Sequence, residues 1–229
     1  MQKTMICLER PVRENQANWN NRVRDLAESF ANQFTACGYA FKDQDVEPAS
    51  LLEMIFTTHP HDAALSVWSE NAYQHDDFYA AVIQLGRYQA YGVWESSAIP
   101  FQFEQGRVEG MCQMAFIKKP QSQARQDWLK AWLADHTRVA IDTQGNFAYR
   151  QNVVAVPLPL SAKPSWPLMD AIVEENFPVI AMTSREAFFD AEGDPEKFER
   201  HQQIMMKSCF KFIDFENFDC VPMSQYVIK

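Results

Sequence analysis

Of the five histidines in this 229-residue chain, His136 is the one best placed for chemistry. On a helical wheel it falls in the middle of an apolar stripe of Leu129, Trp132, Leu133, Val139 and Ala140, while Arg125, Asp127 and Lys130 point away. The ring therefore faces inward. Desolvation favours the neutral form of a buried imidazole, which near pH 7 can act as a general base or as a hydrogen-bond donor to a ligand. A core histidine bonded to a backbone carbonyl gives the same pattern, and periodicity does not separate the two. Asp170, early in a strand beside Ala171 and Ile172, could pair with His136 and fix its tautomer, or be a solvated strand end. Glu175 lies further along that strand and faces its opposite side. Phe188, Phe189, Met205 and Met206, with Trp128 and Trp132, have the shapes to wall a pocket for a flat aromatic or long apolar ligand, although core packing accounts for most of them.

Other chemistries find less support. His59-Pro60-His61, with His75-Asp76-Asp77 downstream, invites a metal, but the proline forces a turn and the expectation is an exposed loop with no metal. His201, near Met205 and Phe198, could line the same cavity as His136, but reads more simply as helix surface. No phosphate-binding glycine loop, nucleophile elbow or zinc-protease motif is present, so nucleotide, dinucleotide and zinc-protease readings have nothing to stand on. The five cysteines (Cys7, Cys37, Cys112, Cys209, Cys220) are odd in number and widely spaced, which suits reduced core thiols. Lys plus Arg is 21 against 30 for Asp plus Glu, so nucleic acid and anionic membranes are repelled on average. No apolar run approaches the roughly 18 residues of a bilayer span, and the beginning of the chain reads as a strand. A cytoplasmic protein is expected.

The elements that must position these residues come in two similar sets. Met5-Ile-Cys-Leu-Glu-Arg-Pro11 reappears in kind as Met114-Ala-Phe-Ile-Lys-Lys-Pro120, each a strand halted by charge and proline. An amphipathic helix follows in each copy, over Val23 to Phe34 and over Trp128 to Ala140. Two strands come next, Leu51 to Thr58 and Ala63 to Tyr73 in the first copy, Phe147 to Pro157 and Leu168 to Phe177 in the second. A second helix spans Asp77 to Tyr88 in the first copy. In the second copy it opens with a Thr183-to-Glu186 capping box, restarts at Asp194-Pro195 and runs to about Phe212. Closing strands at Val93 to Phe101 and Asp219 to Ile228 complete two βαββαβ units, residues 1–103 and 111–229, around a polar linker from Gln102 to Gly110. Each unit would leave one sheet face apolar, and two such faces can cover each other. The expected fold is α+β, two ferredoxin-like repeats whose antiparallel sheets pack into one barrel within the chain. A homodimer stays open.

Trp132-x-x-x-His136, then Tyr149-x-Gln151-Asn152, then Phe188-Phe189-Asp190 through Phe212-Ile213-Asp214 resemble the EthD-like family of the dimeric α/β-barrel superfamily, over roughly residues 111–229. The resemblance implies no built-in cofactor and a pocket between helices and sheet with His136 beside it. It puts Tyr149 on the adjoining strand as a donor to a developing oxyanion or a proton relay, and adds Gln151 and Asn152 to the substrate contacts of Trp132, Asp170, Phe189 and Met205. In the first half Ala27 stands where His136 would be, so one family-type site is expected.

Three functions follow as expectations. The first is a cofactor-independent lyase, dehydratase or isomerase acting by proton transfer on a hydrophobic or aromatic catabolic substrate, with His136 as base. The second is a non-catalytic ligand-binding or accessory protein of a catabolic pathway. The third is a monooxygenase, cofactor-free or haem-dependent.

Overall fold

In the computed structural model the described residues are 1–58, 60–161 and 166–229, with side chains described at all of these except 160 and 161. The elements of the first half are β1 (Gln2–Glu9), α1 (Gln16–Phe30), β2 (Ala36–Phe41), β3 (Met54–Ile55), β4 (Ala63–Ser69), α2 (Asp76–Val82) and β5 (Arg87–Ile99). A two-residue strand, β6 (Gly106–Arg107), precedes the second half. That half comprises β7 (Met111–Ile117), α3 (Arg125–Leu129), a π-helical segment (Lys130–His136), α4 (Thr137–Thr143), β8 (Ala148–Ser161), β9 (Ala171–Phe177), α5 (Arg185–Phe188), α6 (Pro195–Cys209) and β10 (Asp219–Val227).

The strands run in the order β2-β4-β1-β5-β8-β9-β7-β10, and β10 pairs back onto β2, closing an eight-stranded barrel. All of its pairings are antiparallel. Each half contributes its strands in the same sequence, second, third, first, fourth, with its helices outside. The α+β barrel within one chain is therefore the architecture observed. Closure removes the open sheet edges that would otherwise pair with another chain.

Two-residue alternation sorts each strand between two cores. In β7, Cys112, Met114 and Phe116 point into the barrel, where they meet Met5, Tyr91 and Met223. Its Met111, Ala115 and Ile117 point outward, under the helices, with Trp128, Trp132 and Phe212. A strand covered on both faces reads as a continuous apolar run, as β7 does. The helix layer of the first half is a separate core around Trp19, Phe78 and Leu85. The two halves also match in detail. Trp19 Nε1 donates to the carbonyl of Leu85 at 2.8 Å, and Trp128 Nε1 donates to that of Phe212 at 2.9 Å.

Several sequence expectations are corrected. The second strand of the first half is Ala36–Phe41, where Cys37, Tyr39 and Phe41 alternate towards the helices, not Leu51 to Thr58. Asp43 instead starts a 3-10 run over Gln44–Leu52 by accepting the amide of Asp45, Pro48 sits within it, and only Met54–Ile55 pairs as strand, on β10. Helix α2 is short because β5 begins at Arg87, after Gly86 turns the chain at φ 145°. The helix over Trp128 to Ala140 contains a π segment. The cap of α5 is Ser184, whose hydroxyl accepts the amide of Ala187, rather than Thr183. Helix α6 starts as expected, with Asp194 accepting the amide of Lys197 and Pro195 first in the helix, but ends at Cys209. Among the described residues no helix is long and apolar enough to cross a membrane.

Candidate active site

The π segment decides where His136 points. The amide and hydroxyl of Thr137 both reach back five residues to the carbonyl of Trp132, so one extra residue is held in the turn. Single π turns inside α-helices recur at functional sites because they re-aim the side chains they carry. Here both Trp132 and His136 turn towards the barrel wall, and both are buried. The His136 ring lies 4.6 Å from that of Phe212, and its Nδ1 is 3.0 Å from the Ser208 hydroxyl on α6. Burial lowers its pKa to about 4, so the ring is neutral at pH 7 and Nε2 is the nitrogen left for a ligand.

Beneath it, Tyr149 on β8 is held by two donors. Trp132 Nε1 and Gln151 Nε2 lie 3.3 and 3.2 Å from its hydroxyl oxygen, and Gln151 Nε2 also donates to Thr137 Oγ1 at 2.7 Å. Those donors occupy the oxygen's acceptor sites, which leaves the phenolic hydrogen to be given away. Burial, with a smaller contribution from the charge of Glu175, pushes the phenol well above its ordinary pKa, so it stays protonated. Glu175 on β9 is the direct cross-strand partner of Tyr149. Burial raises its pKa to about 7, against a smaller opposing effect of Asn146, whose side-chain amide donates to Oε1 at 3.3 Å. A carboxyl near 7 beside a protonated phenol is a proton acceptor next to a hydrogen-bond donor.

These groups line one cavity of about 210 Å³ between helices and barrel, with apolar walls from Trp132, Phe188, Phe189, Met205 and Phe212. Leu51, Leu52 and Met54 of the first half complete its outer wall. Their segment is anchored over the second half by Val46 and Ala49, which are buried in that half's core, and by Gln113 Nε2 donating to the carbonyl of Leu52 at 3.0 Å.

Of the residues singled out from sequence, His136, Tyr149, Trp132, Phe189 and Met205 come together here, with Gln151 directly behind Tyr149. Asn152 and Asp170 do not. Asn152 faces the barrel interior, where its Nδ2 donates to Glu174 at 2.9 Å. Asp170 pairs with Lys118 at 3.0 Å and accepts the amide of Lys119, at the far end of the strand. Glu175 faces the side opposite Asp170, and that side is the one under the helices; its place in the site follows from this parity together with its register against Tyr149. His201 is buried rather than on the surface, its Nδ1 2.7 Å from the carbonyl of Phe189. His61, expected in an exposed loop, is wholly buried, bonded to Asp219 at 2.9 Å and stacked on Phe116. His59 lies outside the described residues. All five cysteines are free.

No protein-family model matches the sequence, and no curated protein does. The fold does have solved counterparts. A crystal structure of an anthrone oxidase-like protein is similar with a TM-score of 0.58 and 9% identity, covering 100% of this chain and 91% of that one. A protein provisionally assigned as a chlorite dismutase is similar with a TM-score of 0.50 and 8% identity, over 100% of this chain and 96% of the other. At such identities what is shared is the fold, the α/β barrel of ferredoxin-like units.

Proposed function

We propose that the chain is a small-molecule enzyme that moves a proton on a hydrophobic or aromatic substrate held in the cavity between helices and barrel. The observation that carries the reading is the side-by-side placement of Glu175 and Tyr149 on adjacent strands under His136, inside apolar walls. Glu175 takes a proton from a carbon next to a carbonyl. The electron pair moves to the carbonyl oxygen, which receives the hydrogen bond of Tyr149. The Brønsted argument favours Glu175 as base over His136, because a group near 7 is matched to neutral pH and one near 4 is not. His136, neutral and fixed by Ser208, orients the substrate through Nε2. Trp132, Phe189 and Met205 form its walls. Return of the proton elsewhere gives an isomerase, and loss of a leaving group gives a lyase or dehydratase. The EthD-like resemblance of Trp132, His136, Tyr149 and Gln151 supports this assignment, and a catabolic substrate is part of it. The matching strand order and the paired Trp19 and Trp128 bonds support reading residues 1–103 and 111–229 as duplicated units, only the second carrying a site.

A second reading, a cofactor-free oxygenase, is favoured by the fold shared with the anthrone oxidase-like protein. In it the same carbanion passes electrons to dioxygen. The haem version does not suit these residues. A cavity of about 210 Å³ lies below the roughly 300–1,000 Å³ usual for sites of drug-sized ligands, and Phe212 and Ser208 already pack the His136 ring.

The test is hydrogen–deuterium exchange into a panel of aromatic ketones in deuterated buffer, run beside an oxygen electrode. Exchange that disappears in Glu175→Gln supports the proposal, and oxygen uptake selects the second reading. Tight binding with neither exchange nor uptake would overturn both in favour of a non-catalytic binding protein.

A further inference from the structure

The barrel itself is not solid. Its mouth beside β2 and β4 opens into a second cavity of about 380 Å³, separated from the first by the thickness of the sheet. Strands β2 and β4 build one wall from inward-facing small residues, Ala36, Gly38, Ala40, Ala64 and Ser66, and Met114 lies at the bottom. Large side chains at those positions would fill a barrel of this strand number. Barrel mouths are common ligand sites, and the volume lies within their usual range.

The polar groups around this mouth are unequal in what they have left to give. Glu174 is spent, because Oε2 accepts from Lys3 at 2.6 Å and Asn152 at 2.9 Å, and Oε1 accepts from Gln225 at 3.1 Å. Lys3 is shared between Glu174 and Glu95, both at 2.6 Å. Arg150 is different. Its guanidinium lies over the Phe103 ring at 4.3 Å and 3.8 Å from Glu174, so it is held in place. Among the described residues its N–H groups make no hydrogen bond. A planar fork of donors, fixed by an aromatic ring at the edge of an apolar hollow, matches a carboxylate. Lys3, whose ammonium lies between Glu95 and Glu174, and Arg150 together offset those two carboxylates, so the mouth presents no uncompensated negative charge to an incoming anion.

From this we infer that the barrel mouth is a second binding site, for a small monocarboxylate with an apolar body, its carboxylate on Arg150 and its body against the Ala36-to-Ser66 wall. The site shares no lining residue with the cavity of His136, so it stands independently of the reaction proposed there.

Methyl-labelled protein titrated with octanoate and with 3-phenylpropionate, an alkyl and an aryl form of the same chemistry, tests it, with octan-1-ol as the uncharged control. The expected result is submillimolar binding of at least one acid that shifts the methyl signals of Ala40, Ala64 and Met114, and weaker binding of the alcohol. Arg150→Gln is expected to weaken the acid at least tenfold. Ala36→Leu, at the half-buried rim, gives an independent check by narrowing the entrance and is expected to weaken both acids. Shifts confined to Ala115 and Met205 in the other cavity, no shifts at all, or unchanged affinity in the two variants would each overturn the proposal.

Discussion

Glu175 and His136 are both buried and both titrate away from their ordinary values, yet they act on stability in opposite directions. The Glu175 carboxyl is raised from 4.5 to about 7, so its contribution is fully present below pH 4.5 and is lost as pH rises through 7. At about 1.4 kcal/mol per pKa unit the loss is on the order of 3 kcal/mol by pH 8. His136 is lowered from 6.5 to about 4, so its contribution is present above pH 6.5 and declines as pH falls through 4. Glu175→Gln is therefore expected to be inactive yet more resistant to urea than the parent at pH 8, with little difference at pH 4.5. His136→Gln is expected to flatten the acid limb instead. Urea titrations of the three proteins from pH 4 to 8 check both, and a Glu175→Gln protein less stable than the parent at pH 8 would remove the burial argument on which the base assignment rests. A base whose replacement stabilises the fold is a group kept in place despite its cost to folding.

At the scale of elements, the second half was readable because its patterns are periodic and local. The wheel through Trp132 and His136, the Asp194-Pro195 start of α6 and the strand through Glu175 each state their own geometry. The π turn was not readable, since it adds one residue without disturbing the apolar stripe. Nor was the path of Gln44–Leu52, because Leu51 to Phe56 has a strand's composition and only long-range contacts decide otherwise. That segment leaves the first half, is capped by Asp43, and finishes as the outer wall of the second half's cavity. Asp43 also accepts the Ser224 hydroxyl on β10 at 2.8 Å, which ties the start of the segment to the barrel. Asp43→Ala is expected to cost about 1–2 kcal/mol, the value of a lost cap. It should also speed ligand release from the His136 cavity several-fold, with chemistry little changed. Stopped-flow dissociation measured beside single-turnover rates separates the two effects. Slower chemistry with unchanged release would mean that the segment shapes the reacting groups rather than the wall.

For the whole molecule, barrel closure follows from the repeated βαββαβ order, but the charged layer inside the mouth does not. Lys3, Glu95, Arg150 and Glu174 lie on four strands, and a charged residue in a strand ordinarily marks a solvated face. Only the closed topology buries Lys3 and Glu174 and brings half-buried Arg150 and exposed Glu95 alongside them. Burial alone would raise Glu174, but Lys3, Arg150 and the Asn152 amide outweigh it and bring its pKa down to about 2. Its contribution is thus present above pH 4.5 and is lost as pH falls towards 2. Lys3 joins the first half to β9 of the second at Glu174, so the pair is a cross-brace of the barrel. Removing one member of such a pair leaves an uncompensated buried charge, which costs about 3–5 kcal/mol, whereas replacing both is often close to neutral. Lys3→Met is therefore expected to lose about that much in urea denaturation at pH 7, and Lys3→Met with Glu174→Gln to recover most of it. The glutamine keeps one oxygen, for the amide of either Asn152 or Gln225, which donate to different oxygens of Glu174. Proton exchange by the His136 cavity, on the other side of the sheet, should persist in the double variant. If Lys3→Met cost less than about 1 kcal/mol, the charged layer would be solvated enough to count as surface, and the brace would have to be sought in the apolar interior between Met5 and Met223 instead.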